Sequence, residues 1–179
     1  RIYVAQDLTA NQTFTLPPYR LEYFRYRLKD MSYIASLDQG TSSTRCMIFD
    51  KSGAVVAIAQ KEHQQFTPNP GWVEHDAGEI WQNTQTVIKE AIAKAGIQPS
   101  EIKAVGITNQ RETIVAWDVQ TGKALHPAIV WQDTRTAEFL TGLSQADKDL
   151  LINRTGLAIA PYFSASKIHW LLNNADSVK

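Results

Sequence analysis

Residues 33–50 read Y-I-A-S-L-D-Q-G-T-S-S-T-R-C-M-I-F-D. A short apolar run ending in an acid (Ile34, Ala35, Leu37, Asp38) is followed by small, hydroxyl-rich residues (Gly40, Thr41, Ser42, Ser43, Thr44). Arg45 and a second apolar run, Cys46 to Phe49, come next. Apolar runs of this length around a small polar turn predict a strand, a tight turn and a strand.

The rest of the chain extends that hairpin. Lys51-Ser52-Gly53 is a second turn, and Ala54 to Gln60 predicts a third strand paired with the second. Pro68, Pro70 and Gly71 break the chain, and Asp76, with Glu79 three residues on, is expected to cap a helix. On that helix Ile80, Thr84, Val87, Ile88, Ala91, Ile92 and Ala95 share a face until Gly96 stops it, which leaves Trp72 and Glu74 on a loop just ahead. Ile102 to Thr108 predicts a buried strand parallel to the first. Thr113 to Trp117 and Pro127 to Trp131 predict a hairpin joined by residues 118–123, and Ser144 to Asn153 and Ser164 to Asn173 predict two helices. The order β-β-β-α-β, hairpin, helices implies an α/β fold with a mixed sheet flanked by helices.

Residues 1–30 do not continue this pattern. Pro17-Pro18 and the basic, aromatic cluster from Tyr19 to Lys29 show no period and no apolar core of a secretory signal. They are expected to be a disordered or run-in leader, with a natural start at Met31 and one domain over 31–179; a basic binding arm is the alternative. The 18 basic and 18 acidic residues cancel, giving no electrostatic case for nucleic acid or an anionic membrane as partner. No apolar run is long enough to span a bilayer. Cys46 is the one cysteine, so no internal disulfide forms; it suits a small buried hydrophobe, and the cytoplasm is the default location.

The first turn has the chemistry of a phosphate cradle. Gly40 lets the backbone bend and approach a ligand, Thr41, Ser42, Ser43 and Thr44 supply hydroxyls beside their own N–H groups, and Arg45 adds a positive fork. Asp38 stands where a carboxylate can hold a hydrated Mg2+ ion against the same phosphates. The stretch has neither G-x-x-x-x-G-K-[ST] nor G-x-G-x-x-G, and its composition equally suits an ordinary polar β-turn.

A second cluster, Asn109-Gln110-Arg111-Glu112-Thr113, follows the strand at Thr108, where α/β sheets gather ligands. Arg111 donates and Glu112 accepts, which together suit vicinal hydroxyls, though a structural ion pair or a solvated loop is also compatible. A third, Trp131-Gln132-Asp133-Thr134-Arg135, offers an indole as an apolar wall for a polyol and an Asp133–Arg135 pair. Tyr162 precedes the last helix, with Ser164 as its expected cap, and could bring a phenol to the same hydroxyls. Glu74-His75-Asp76 lacks zinc-ligand spacing, and His63, His126 and His169 have no nucleophile partner in the sequence.

The segments L-D-Q-G-T-S-S-T-R, G-W-V-E-H-D, G-I-T-N-Q-R-E-T, I-V-W-Q-D-T-R-T and A-P-Y-F-S-A-S-K resemble, in order and spacing, those of glycerol kinases in the FGGY carbohydrate kinase family. The resemblance runs from Tyr33 to about Asn174. It implies an actin-like, ribonuclease-H-like fold in which two such domains close on a cleft, this chain supplying an incomplete first domain. It implies ATP and Mg2+ as cofactors and glycerol as the phosphoryl acceptor. Asp38 resembles the metal-site residue, Thr41, Ser42, Ser43 and Arg45 those facing the ATP phosphates, and Arg111, Glu112, Tyr162 and Trp131 the glycerol-binding set. The catalytic base, an aspartate of a later segment in the family, is expected beyond Lys179. The full-length protein is then a homo-oligomeric glycerol kinase and this portion alone is expected to be inactive. Another FGGY sugar kinase acting on a pentulose or hexulose, and a non-catalytic actin-like nucleotide-binding module, are the competing expectations.

Overall fold

The computed structural model describes residues 33–178, so the expectations for residues 1–30 and for a start at Met31 lie outside the described residues. In chain order the elements are β1 (Tyr33–Gln39), β2 (Ser43–Asp50), β3 (Val55–Glu62), β4 (Gln65–Phe66), β5 (Glu74–His75), α1 (Ala77–Ala95), β6 (Ile102–Thr108), β7 (Ala128–Ile129), α2 (Ala137–Thr141), α3 (Gln145–Thr155) and α4 (Ser164–Asn174). The described residues divide into two units, one of residues 33–62 and 81–109 and one of residues 63–80 and 110–178.

Alternation of side chains decides the sheet of the first unit. The strand order is β3-β2-β1-β6, with β1–β2 and β2–β3 antiparallel and β6 parallel to β1. Leu37 lies opposite Cys46 and Cys46 opposite Ala59; Ala35 lies opposite Ile48 and Ile48 opposite Ala57. All six are buried on one face, where Val87 and Ala91 of α1 complete the core. Burying a valine of that kind stabilises by about 1.5–3 kcal/mol. The Cys46 thiol, buried there as expected, has its pKa raised by desolvation.

The ends of α1 follow its sequence. The Asp76 carboxylate accepts from the Gly78 N–H at 2.7 Å, and Gly96 takes φ +66° just past the last turn. Glu79 does not reach back to close a capping box; its carboxylate accepts from the Gln64 N–H at 3.1 Å. The buried face also includes Asn83, whose amide donates to the Glu62 carbonyl at 3.0 Å. β6 has its expected bounds but not the expected burial. Among the described residues β6 has only β1 beside it, and Lys103, Ala104 and Val105 are exposed.

The second unit contains a small antiparallel sheet in the order β4-β5-β7. Glu74 is therefore not on a loop but in β5, opposite Ile129. The hairpin expected over 113–131 is reduced to two bridges, Ile114 with Ile129 and Trp117 with Ala124, because Ala128 and Ile129 also pair with β5. Its tip holds as read: the Asp118 carboxylate accepts from the Gln120 and Thr121 N–H groups, and Gly122 has φ +69°. Helix α2 had no signal in the sequence reading. Helix α3 starts with the Ser144 hydroxyl accepting from the Asp147 N–H and stops at left-handed Gly156. Helix α4 starts one residue earlier than a Ser164 cap requires: Phe163 is the N-cap and Ser164 is in the first turn. Ile129, Leu171 and Ala175 form the local core.

Candidate functional site

In the first unit the turn contracts to Gly40, Thr41 and Ser42, because Ser43, Thr44 and Arg45 already belong to β2. The Gly40 N–H donates to the Ser43 carbonyl at 3.0 Å, and a Cβ on Gly40 would stand 3.1 Å from that oxygen. Close approach, not left-handed backbone, therefore favours glycine here. The Thr44 hydroxyl is withdrawn from any ligand. It is buried and accepts from the Gln39 amide at 2.8 Å, while the Gln39 carbonyl accepts from the Thr84 hydroxyl at 3.1 Å.

The remaining candidates lie together. Ser43 and Arg45 share a face of β2 and are joined by Gln60, which accepts from Arg45 Nε at 3.1 Å and donates to Ser43 Oγ at 3.0 Å. Asp38 is opposite Arg45 across the hairpin and in register with Thr108 of β6. Ser42 is exposed at the tip. Among the described residues the Asp38 carboxylate makes no hydrogen bond, so its oxygens suit a hydrated Mg2+ ion, which takes one or two carboxylates and keeps its waters.

In the second unit the loop 109–113 meets the start of α4. Glu112 Oε2 accepts from both the N–H and the hydroxyl of Ser164, each at 2.7 Å, so the carboxylate caps α4 from another segment. Ser164, expected to cap its own helix, instead donates to Glu112. Glu112 also has φ +65°, the one positive φ of a residue other than glycine among the described residues. Such backbone costs about 1–3 kcal/mol and persists where the surroundings impose it. Lys167 supplies part of that imposition: its Nζ donates to the Glu112 and Tyr162 carbonyls, both at 2.7 Å.

Two more candidates adjoin these. The rings of Trp131 and Tyr162 meet edge to face with centroids 5.9 Å apart, and the Trp131 N–H donates to the Thr113 hydroxyl at 3.2 Å. Glu112, Tyr162 and Trp131 are thus brought together. Arg111 is the neighbour of Glu112 in sequence but does not pair with it; it is exposed and makes no ion pair among the described residues. Lys167, the last residue of the A-P-Y-F-S-A-S-K segment, has no role assigned from sequence, and its signal is a lysine one helical turn before the core residue Leu171. Burial lowers the Lys167 pKa to about 8, against the attraction of Glu112 and Asp133.

Arg135 and Asp133 form the pair that the sequence allowed, and they bind more besides. Arg135 Nε and one Nη donate to the two Asp133 oxygens at 3.0 and 2.8 Å, and that Nη also donates to Glu74 at 2.7 Å. Asp133 also accepts from the Val73 N–H at 2.7 Å and from the Arg135 main-chain N–H at 2.8 Å. Glu74 is held by Arg135, Asp76 caps α1, and His75 is buried against His63 with ring centroids 4.8 Å apart. Each residue of the E-H-D run therefore has a structural partner. Burial, then the charge of His63, lowers the His75 pKa to about 4, opposed by Glu79 and the Gln110 side chain.

No helix among the described residues is long and apolar enough to cross a membrane. Residues 33–179 match the N-terminal domain of the FGGY family of carbohydrate kinases. The glycerol kinase of Saccharopolyspora erythraea is 56% identical over 149 residues, which cover 83% of this chain and 30% of that protein. A solved structure of Plasmodium falciparum glycerol kinase with ADP superposes with a TM-score of 0.77 at 39% identity, over 83% of this chain and 30% of the other. The xylulose kinase of Rhodospirillum rubrum superposes with a TM-score of 0.69 at 26% identity, over 82% and 30%. The chain spans about 30% of the length of the curated relatives it matches.

Proposed function

The chain belongs to the FGGY family of carbohydrate kinases, and on that premise we propose that the full-length protein transfers the terminal phosphoryl group of ATP to glycerol. The observation that carries the choice of acceptor is the convergence of Glu112, Tyr162 and Trp131 at the start of α4, beside Arg111. In this reading Glu112 accepts from a glycerol hydroxyl through Oε1, Arg111 donates to a second, and the Trp131 and Tyr162 rings face the carbon chain. Among the described residues no additional cation adjoins Glu112 to favour an acidic sugar except Lys167, which donates to two carbonyls.

The hairpin of the first unit takes the nucleotide. Thr41, Ser42 and Ser43 offer hydroxyl and N–H donors to the phosphates, Arg45 a positive charge, and Asp38 an oxygen for Mg2+, which when bound neutralises charge on the phosphates. The transfer depends on holding acceptor and donor in line, so residues 31–179, as the first domain of the kinase, are proposed to be inactive alone, with the base an aspartate from elsewhere in the full-length protein. A cytoplasmic homo-oligomer belongs to the same proposal, with residues 1–30 outside the domain.

The test is an ADP-release assay on the full-length protein with glycerol, ATP and Mg2+, run beside Arg111→Ala. Glycerol-dependent turnover that collapses in the variant is the expected result. Turnover with a ketose and none with glycerol would move the substrate to a pentulose or hexulose, the chemistry of the fold's xylulose kinase neighbour. No turnover with any polyol or sugar would leave a nucleotide-binding module.

A further inference from the structure

We propose that Lys167 is a positioning residue of the polyol site, two of whose N–H groups fix Glu112 and Tyr162 in one arrangement; this rests on the assignment of those two residues to substrate binding. Three observations carry it. The Lys167 side chain is fully buried, yet among the described residues it makes no ion pair. Its Nζ spends its donors on the main-chain carbonyls of Glu112 and Tyr162, which belong to segments far apart in sequence. Glu112 at the same time holds a left-handed φ that a side chain other than glycine adopts only under constraint.

The two ends of Glu112 are therefore pinned separately. Lys167 holds its carbonyl, and Ser164 holds Oε2 of its carboxylate. Oε1 remains for a hydroxyl, in a direction set before any substrate arrives. The core would accept leucine or methionine at this position, four residues from Leu171, so a buried ammonium needs a reason other than packing. Glu112 and Asp133 favour its charged form and Arg135 opposes it, and with a pKa near 8 the group is mainly cationic at neutral pH.

The test is made on the full-length protein by ADP release, with the glycerol KM, the ATP KM and kcat determined separately. Lys167→Met, Glu112→Gln, Arg111→Ala and the Lys167→Met/Glu112→Gln double variant are compared. Lys167→Met keeps the volume and removes the donors, and is expected to raise the glycerol KM about 10- to 100-fold while the ATP KM stays within about two-fold. Added to Glu112→Gln, it is expected to contribute less than about two-fold more, because the two act as a unit. Effects that multiply in the double variant, or a parallel rise in both KM values, would overturn the proposal. If Lys167→Met does not fold, Lys167→Gln is read by the same criteria. An unchanged glycerol KM in both Arg111→Ala and Glu112→Gln would remove the site assignment and this inference with it; a rise in those two with none in Lys167→Met would remove the Lys167 role alone.

Discussion

The guanidinium carbon of Arg135 lies 3.8 Å from the centroid of the Trp72 ring. Trp170 is the second ring near it, at 4.6 Å, and the edge of the fork is filled by Asp133 and Glu74. The two indoles meet edge to face, 85° apart, so the cation adjoins both rings without lying sandwiched between them. A planar cation set over indole and bound in two directions by carboxylates is a task for arginine and not for lysine.

Replacing Arg135 should therefore be costly. Arg135→Met leaves the buried carboxylates of Asp133 and Glu74 without their cation, and the expected loss is about 3–5 kcal/mol. Arg135→Lys should recover less than half, since lysine restores neither the fork nor the stack. Urea unfolding followed by tryptophan fluorescence measures both; equal stability of wild type and Arg135→Lys would show that the planar geometry contributes nothing.

His75 makes stability depend on pH. The folded protein holds the imidazole neutral down to a pKa of about 4, while in the unfolded chain it takes a proton near 6.5. Stability is then full above about pH 6.5 and falls as pH drops toward 4, by at most about 3 kcal/mol for this one group. His75→Gln should flatten that part of the profile. Unfolding midpoints between pH 7 and 4.5 check it, and an unchanged slope in the variant would assign the dependence elsewhere.

Gly71 has two reasons to be glycine. Its φ is +78°, and a Cβ there would collide with the Thr134 hydroxyl, which together with the Thr134 N–H donates to the Gly71 carbonyl. Gly71→Ala is expected to cost about 1–3 kcal/mol. Thermal unfolding reads the change, and Gly122→Ala, with positive φ but nothing within 4 Å of its Cβ, should cost less.

On the nucleotide side, Asp38→Asn removes the charge but keeps the shape. In the full-length protein the Mg2+ concentration for half-maximal turnover should rise by about ten-fold or more. A shift in the glycerol KM with no shift in the Mg2+ requirement would place Asp38 outside the metal site.

Where local rules decide structure, the sequence was legible. The alternation in β1 and β2, the Asp76 cap and the Gly96 stop are local signals, and they set the first sheet and α1 with bounds within a few residues. Which strands flank β6 among the described residues is a matter of neighbours distant in sequence, so its bounds were readable and its exposure was not. The second unit is harder for the same reason. Its strands are two residues long, and Glu74 finds Ile129 and Arg135 only through contacts distant in sequence. Glu112 stood out as an acceptor beside Arg111 just past a predicted strand, yet its hold on Ser164 was hidden because a serine at a helix start also reads as a cap for itself. Lys167 was missed because lysine is ordinarily a surface residue.

The chain order of the two units bears on synthesis. The first unit draws on residues 33–62 and 81–109, and the second on 63–80 and 110–178, so neither is a continuous stretch. On a ribosome the β1–β2–β3 meander can form from neighbours alone, whereas Glu74 and His75 emerge more than fifty residues ahead of Ala128 and Ile129, their partners in β7. During that interval the 63–80 segment holds three carboxylates, two histidines and Trp72 with no completed shelter. Chaperone engagement of nascent chains should therefore be greatest after Asn109 has left the exit tunnel and before Arg135 has followed it.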